Sequence, residues 1–167
     1  MIPRYCQTDA DINTPTSTST GIEMADALAV IGIVGSVASI IDVLGKTIAS
    51  ITKIQSEWLE ADLTFLCLAS EVIALRAALA KIKEWAELDN TEAHHQLTMD
   101  LETSLSCCSI LVSKLDNELS RFHQTSEHRL DFSSKTKLVF GSQSIEGLEK
   151  LIQRQTIALN LLLTACD

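Results

Sequence analysis

The segment Glu92–Phe122, EAHHQLTMDLETSLSCCSILVSKLDNELSRF, decides the fold of this chain. Leu97, Leu101, Leu105, Cys108, Val112, Leu115, Leu119 and Phe122 recur at steps of three or four, the period at which side chains share one face of an α-helix. Asp100, Glu102, Thr103, Ser106, Ser113 and Asn117 fall between them, so the opposite face is polar. The pattern predicts an amphipathic helix with one side in water and the other on a core.

Working outward, the N-terminal flank reads as two further helices. A segment at about Leu59–Leu88 carries two apolar stripes, Leu59, Leu63, Leu66 and Ile73 on one and Phe65, Leu68, Val72, Leu75, Leu79 and Ile82 on the other. A helix apolar around most of its girth is expected in the middle of a bundle. Asp89, Asn90 and Thr91 supply its stop and the next helix's cap. A first segment, about Met24–Ser56, is free of charge from Ala27 to Ile41, and Gly45 is a candidate kink or break. That uncharged run is shorter than the roughly 18–20 apolar residues that span a bilayer. Within it Ala29, Gly32, Ser36 and Ser39, with Gly35 beside them, place small side chains on one helical face that a second backbone can approach closely. These five residues are the candidate interaction surface.

On the other flank, residues 124–141 read as a long, mildly basic loop with room for a short helix, carrying Arg129, Lys135 and Lys137. Ser142 or Ser144 then caps a last helix running to about Ala165, with Glu146 well placed at its positive end. Residues 1–23 are polar and aperiodic, with a Thr/Ser-rich tract from Thr14 to Thr20, and read as a disordered tail. The expectation is an all-α chain: a tail over 1–23 and, over 24–167, a bundle of about four long helices.

Composition narrows the function. With two Trp, one Tyr and four Phe, the core must be built mainly from Leu, Ile, Val and Ala. A formal charge of −9 repels phosphate backbones and anionic headgroups, which argues against nucleic acid as a partner. Cys6, Cys67, Cys107, Cys108 and Cys166 form an odd set without a Cys-x-x-Cys spacing, and no secretory leader precedes them, so free thiols in the cytoplasm are expected.

Each chemical motif has a plainer reading. Gly45-Lys46-Thr47 matches the end of a phosphate-binding loop, but Ile40 stands where that loop needs its first glycine, and the flanks are helical. His94 and His95 lie roughly 20 Å along one helix from Cys107 and Cys108 and cannot share a metal. His123 and His128 could meet in a loop but bring no further ligands, and Glu84, Glu87 and Asp89 read as a solvated helix end. No nucleophile elbow is present, and no Cys and His stand at a helix-compatible contact spacing. Trp58 and Trp85 are expected to pack at the ends of the second helix. No catalytic, metal or cofactor site is therefore expected.

Two stretches are similar to a known family. The opening Met24-Ala25-Asp26-Ala27-Leu28-Ala29-Val30-Ile31-Gly32-Ile33-Val34-Gly35 is one. The other is Lys137-Leu138-Val139-Phe140 with Leu151–Ala165, whose R-Q-x-x-A-L-x-L-L-L pattern is the more specific half. Together they resemble the N-terminal, Helo-like domain of fungal STAND (NLR-like) proteins, over about Met24–Asp167. The resemblance implies a helical bundle at the signalling end of an intracellular receptor, placed ahead of a nucleotide-binding or repeat region. It also implies protein partners, self-association, and a link to non-self recognition and cell death at membranes. Related membrane-active domains carry glycine-zipper helices; here Gly32 and Gly35 are three apart within a stripe of mixed Ala and Ser. A structural or regulatory binding module that never touches lipid is the alternative, and the acidic charge favours it.

Overall fold

The computed structural model describes residues 19–58, 62–88, 95–124, 131–140 and 145–164, with side chains from Ile31, Leu63 and Gln96 onward in the first three helices. Its elements are α1 (Ser19–Glu57), α2 (Asp62–Glu87), α3 (His95–Gln124), α4 (Phe132–Phe140) and α5 (Ile145–Thr164). The all-α expectation holds: four of these helices are long, with 39, 26, 30 and 20 residues, and α4 has nine.

In α1 the buried side chains Ile33, Val37, Ile40, Leu44, Thr47, Ile51 and Ile54 alternate steps of four and three without a miss. That is the spacing of a seam seated between neighbouring helices. Thr47 fits the seam because its Oγ1 donates to the Val43 carbonyl at 2.9 Å, answering the hydroxyl within its own helix. The helix and its seam continue through Gly45, so the chain is not split there. One glycine costs a helix only about 1 kcal/mol, less than this continuous burial returns.

Packing follows from these faces. α1 lies along α2 and α3, and α5 lies along the other sides of α2 and α3, giving the order α1, α2, α5, α3 around the bundle. Ring contacts fix the polarity. Trp58, just past α1, lies 6.4 Å from Phe122 near the end of α3, and Phe65 in the first turn of α2 lies 6.0 Å from that same ring. Hence α1 and α3 run parallel, and α2 runs against both. α5 starts beside this aromatic end and also runs against α3. Gln155, halfway along α5, donates to the Ser104 carbonyl and hydroxyl at 3.1 and 2.6 Å.

The eight residues that defined α3 in sequence line its core side, with Leu97 half-buried and the others buried. α2 departs from expectation. Phe65, Leu68, Val72, Leu75, Leu79 and Ile82 are buried, but Leu63, Leu66 and Ile73 of the second stripe are 75%, 58% and 49% exposed. Among the described elements α2 packs chiefly on α1 and α5, and this side of it is left exposed. It is not a central helix. The stretch read as a loop with room for a short helix contains that helix as α4, which brings Phe132, Lys135, Val139 and Phe140 onto the aromatic end. Asp131 starts α4 by accepting from the Ser134 amide at 3.3 Å, and its carboxyl is held below the usual carboxylate range first by the Ser134 hydroxyl and then by that amide. Finally, α1 begins at Ser19, so the last five residues of the stretch read as tail are helical.

Candidate functional site

The small residues of α1 fall on the flank of its buried seam, on the side toward α3. Gly32, Gly35, Ser36 and Ser39 are all exposed, and a Cβ placed on Gly32 or Gly35 meets no other atom within 4 Å. α1 and α3 are held together by Ile33, Val37 and Ile40 meeting the Leu101–Val112 face, and the small side chains beside that seam leave a trough. Ala29 lies in α1, with its side chain outside the described residues.

The trough has a volume of about 760 Å³. Its floor is Ile33, Ile40 and Leu105, its α1 wall is Gly32, Gly35, Ser36 and Ser39, and its α3 wall is Ser106 and Ser109. Glu102 stands on the rim, as does Ile110, an isoleucine 72% exposed. Small walls over an apolar floor let a helix backbone come close, and the serine hydroxyls can answer polar groups along its edge. Four of the five candidate residues are thus brought together. The α3 residues escaped sequence reading because Ser106 and Ser109 sit on a face that reads simply as solvated. Only the pairing of α3 beside α1 brings them into one trough with the α1 residues.

The other motifs resolve as follows. Gly45-Lys46-Thr47 lies inside continuous α1, with Thr47 buried and its hydroxyl bonded to Val43, so no loop of free amides exists there to wrap a phosphate. Among the described residues no three of His, Cys, Asp and Glu gather as a metal would require. Residues 94 and 128 lie outside those described; His123 is half-buried, and its Nε2 is enclosed without a hydrogen-bond partner. Cys67, Cys107 and Cys108 are free thiols. Burial, with the neighbouring Cys107 adding to it, pushes the Cys108 thiol up to about 12, against a smaller opposing pull from its hydrogen bond with Gln155. Cys108 is therefore an inert thiol at neutral pH and Cys107, exposed on the outer side of α3, is the accessible one. Glu87 pairs with Lys83 at 3.6 Å on the surface, and Trp58 and Trp85 pack partly against the core.

Two helices, over Ile31–Glu57 and Leu63–Glu87, are long and apolar enough to cross a membrane by length and composition, although the uncharged run in α1 alone is not. Core helices of soluble bundles pass the same test. No family model, curated protein or solved structure matches this chain.

Proposed function

We propose that this chain is a non-enzymatic signalling or effector module of the fungal STAND type that works by docking helices, a second copy of itself first among them, in the trough between α1 and α3. What carries the reading is the unfilled small-residue wall: Gly32, Gly35, Ser36 and Ser39 face a groove, with nothing among the described residues packed over the two glycines. Small residues that served only internal packing would be covered by their neighbour. The likeness of the opening and closing segments to Helo-like domains points the same way.

The test replaces Gly32 and Ser36 with Leu. A side chain at position 32 enters open space, so the thermal melt should hold or rise slightly, because leucine favours a helix by about 1 kcal/mol over glycine. Self-association, followed by sedimentation over a concentration series, should be lost. A wild-type protein that stays monomeric throughout, or a variant that associates equally well, overturns the reading.

Membrane engagement is the second reading, favoured by the length and apolarity of α1 and α2. The net charge of −9 opposes it on anionic bilayers. Leakage from liposomes on adding the wild-type chain is expected if it holds; absence of leakage, with residues 1–23 present or removed, leaves a binding module acting on proteins alone.

A further inference from the structure

We propose that the helix seated in the trough is α2 of a second copy, its apolar face inward, so that copies join head to tail: each lends α2 to one neighbour and its trough to another. This rests on the self-docking reading above and names the surface that docks.

Leu63, Leu66, Ser70, Ile73 and Ala77 step by three, four, three and four along α2, and all five are exposed. They form one face about four turns long. Its spacing matches the trough. Leu66 and Ile73 are seven residues apart, roughly 10.5 Å along the helix, with the small Ser70 between them. In the trough the floor residues Ile33 and Ile40 are also seven apart, as are Gly32 and Ser39 in the wall. Two large side chains on α2 thus meet an apolar floor and small walls at the same period, and Ser70 comes to lie among serine hydroxyls.

Charge favours the same pairing. The chain carries −9 overall, yet between Leu63 and Lys81 its charged residues are Glu71, which is half-buried, and the exposed Arg76 and Lys81. Arg76 lies about one turn beyond Ile73, and Lys81 continues the stripe one turn past Ala77. The charged residue lining the trough is Glu102. Among the described residues none of Arg76, Lys81 and Glu102 forms an ion pair. A basic face set against an acidic rim is complementary. Trough on trough would instead place two Glu102 carboxylates in one interface, and α2 on α2 would gather two copies of Arg76 and Lys81.

One chain cannot join these surfaces by itself. α2 packs on one side of α1, and the trough lies on the other side, toward α3. The contact is therefore made between copies and uses two different surfaces. Such a contact repeats until a ring closes or a filament grows.

Mixing variants of the full chain tests this, with sedimentation over a concentration series as the readout. The wild type should pass beyond the dimer. Leu66→Glu with Ile73→Glu spoils the α2 face, and Gly32→Leu with Ser36→Leu fills the trough. Each variant alone should stay monomeric, and each should melt within a few degrees of the wild type because all four positions are exposed. Leu66→Gln with Ile73→Gln, which adds no charge, serves as a second α2 variant with the same loss expected. An equal mixture of trough and α2 variants holds one intact trough and one intact α2 face, so it should form a dimer and stop there. If both α2 variants associate like the wild type while the trough variant does not, α2 is not the occupant and only this inference falls. A mixture that stays monomeric, or a wild type that stops at the dimer, refutes head-to-tail joining. A wild type that is monomeric throughout overturns this inference and the self-docking reading together.

Discussion

Gln155 on α5 reaches across to Ser104 on α3, 51 residues earlier in the chain, and its amide nitrogen donates to both the backbone carbonyl and the side-chain hydroxyl of that one residue. The same side chain hydrogen-bonds Cys108 one turn further along α3. A single amide thus sets the register of α5 against α3 where apolar contacts, which slide more freely, do not. Gln155→Leu should cost about 1 kcal/mol, a fall of roughly 2–4 °C in Tm for a chain of this size. A double-mutant cycle with Ser104→Ala should return a coupling of about 0.5 kcal/mol or more. Additive losses would mean that the two residues act separately.

Gly45 sits in mid-helix with open space where its Cβ would be. Gly45→Ala should therefore stabilise the fold by about 1 kcal/mol through helix propensity alone, seen as a higher midpoint in urea with an unchanged slope. Because Gly45 lies outside the trough, self-association should not change. This separates the helix-forming effect of removing a glycine from the steric effect expected at Gly32.

Thr98 is buried on α3 with no hydrogen-bond partner for its Oγ1. Valine has nearly the same shape and no hydroxyl to desolvate. Thr98→Val should raise stability by about 1 kcal/mol, measured by chemical denaturation; a loss instead would show that the hydroxyl is answered by water.

The adjacent thiols should behave as opposites. At neutral pH a maleimide should label Cys107 readily and leave Cys108 untouched until the protein unfolds, read by peptide mass mapping. The folded-state value of Cys108 is raised from 9.0 to about 12, so the folded protein holds that proton more tightly than the unfolded chain. Its contribution is complete below pH 9 and is lost as the pH climbs toward 12. Cys108→Ala should flatten the alkaline side of the stability profile relative to the wild type.

How much of this was legible in sequence depended on how one-sided each helix is. α3 has a single apolar stripe, and its eight residues gave the buried face directly. α2 has two, and nothing in Leu63, Leu66 or Ile73 says that the neighbour they would pack on is missing; the number of partners belongs to the tertiary fold. α4 falls in the stretch with room for a short helix, but its bounds were obscured by Lys135, a charged residue at a buried position that breaks the apolar period of a nine-residue helix. The aromatic end was invisible because its rings come from four separate stretches. Of the trough, the α1 wall was readable from spacing, while Ser106 and Ser109 looked like ordinary solvated positions.

The order of the helices around the bundle sets the order in which the chain can be completed during synthesis. α2 and α3 follow one another in sequence yet stand diagonally opposite, touching at the Phe65–Phe122 ring contact and otherwise bridged by α1 on one side and α5 on the other. A nascent chain that has emerged as far as α3 can close one side of the bundle. The faces of α2 and α3 that α5 will cover, including Ser104 and Cys108, then stay bare until Ile145–Thr164 leaves the ribosome. Stalling the ribosome before residue 145 should yield a chain that recruits chaperones, and one extended past α5 should release them.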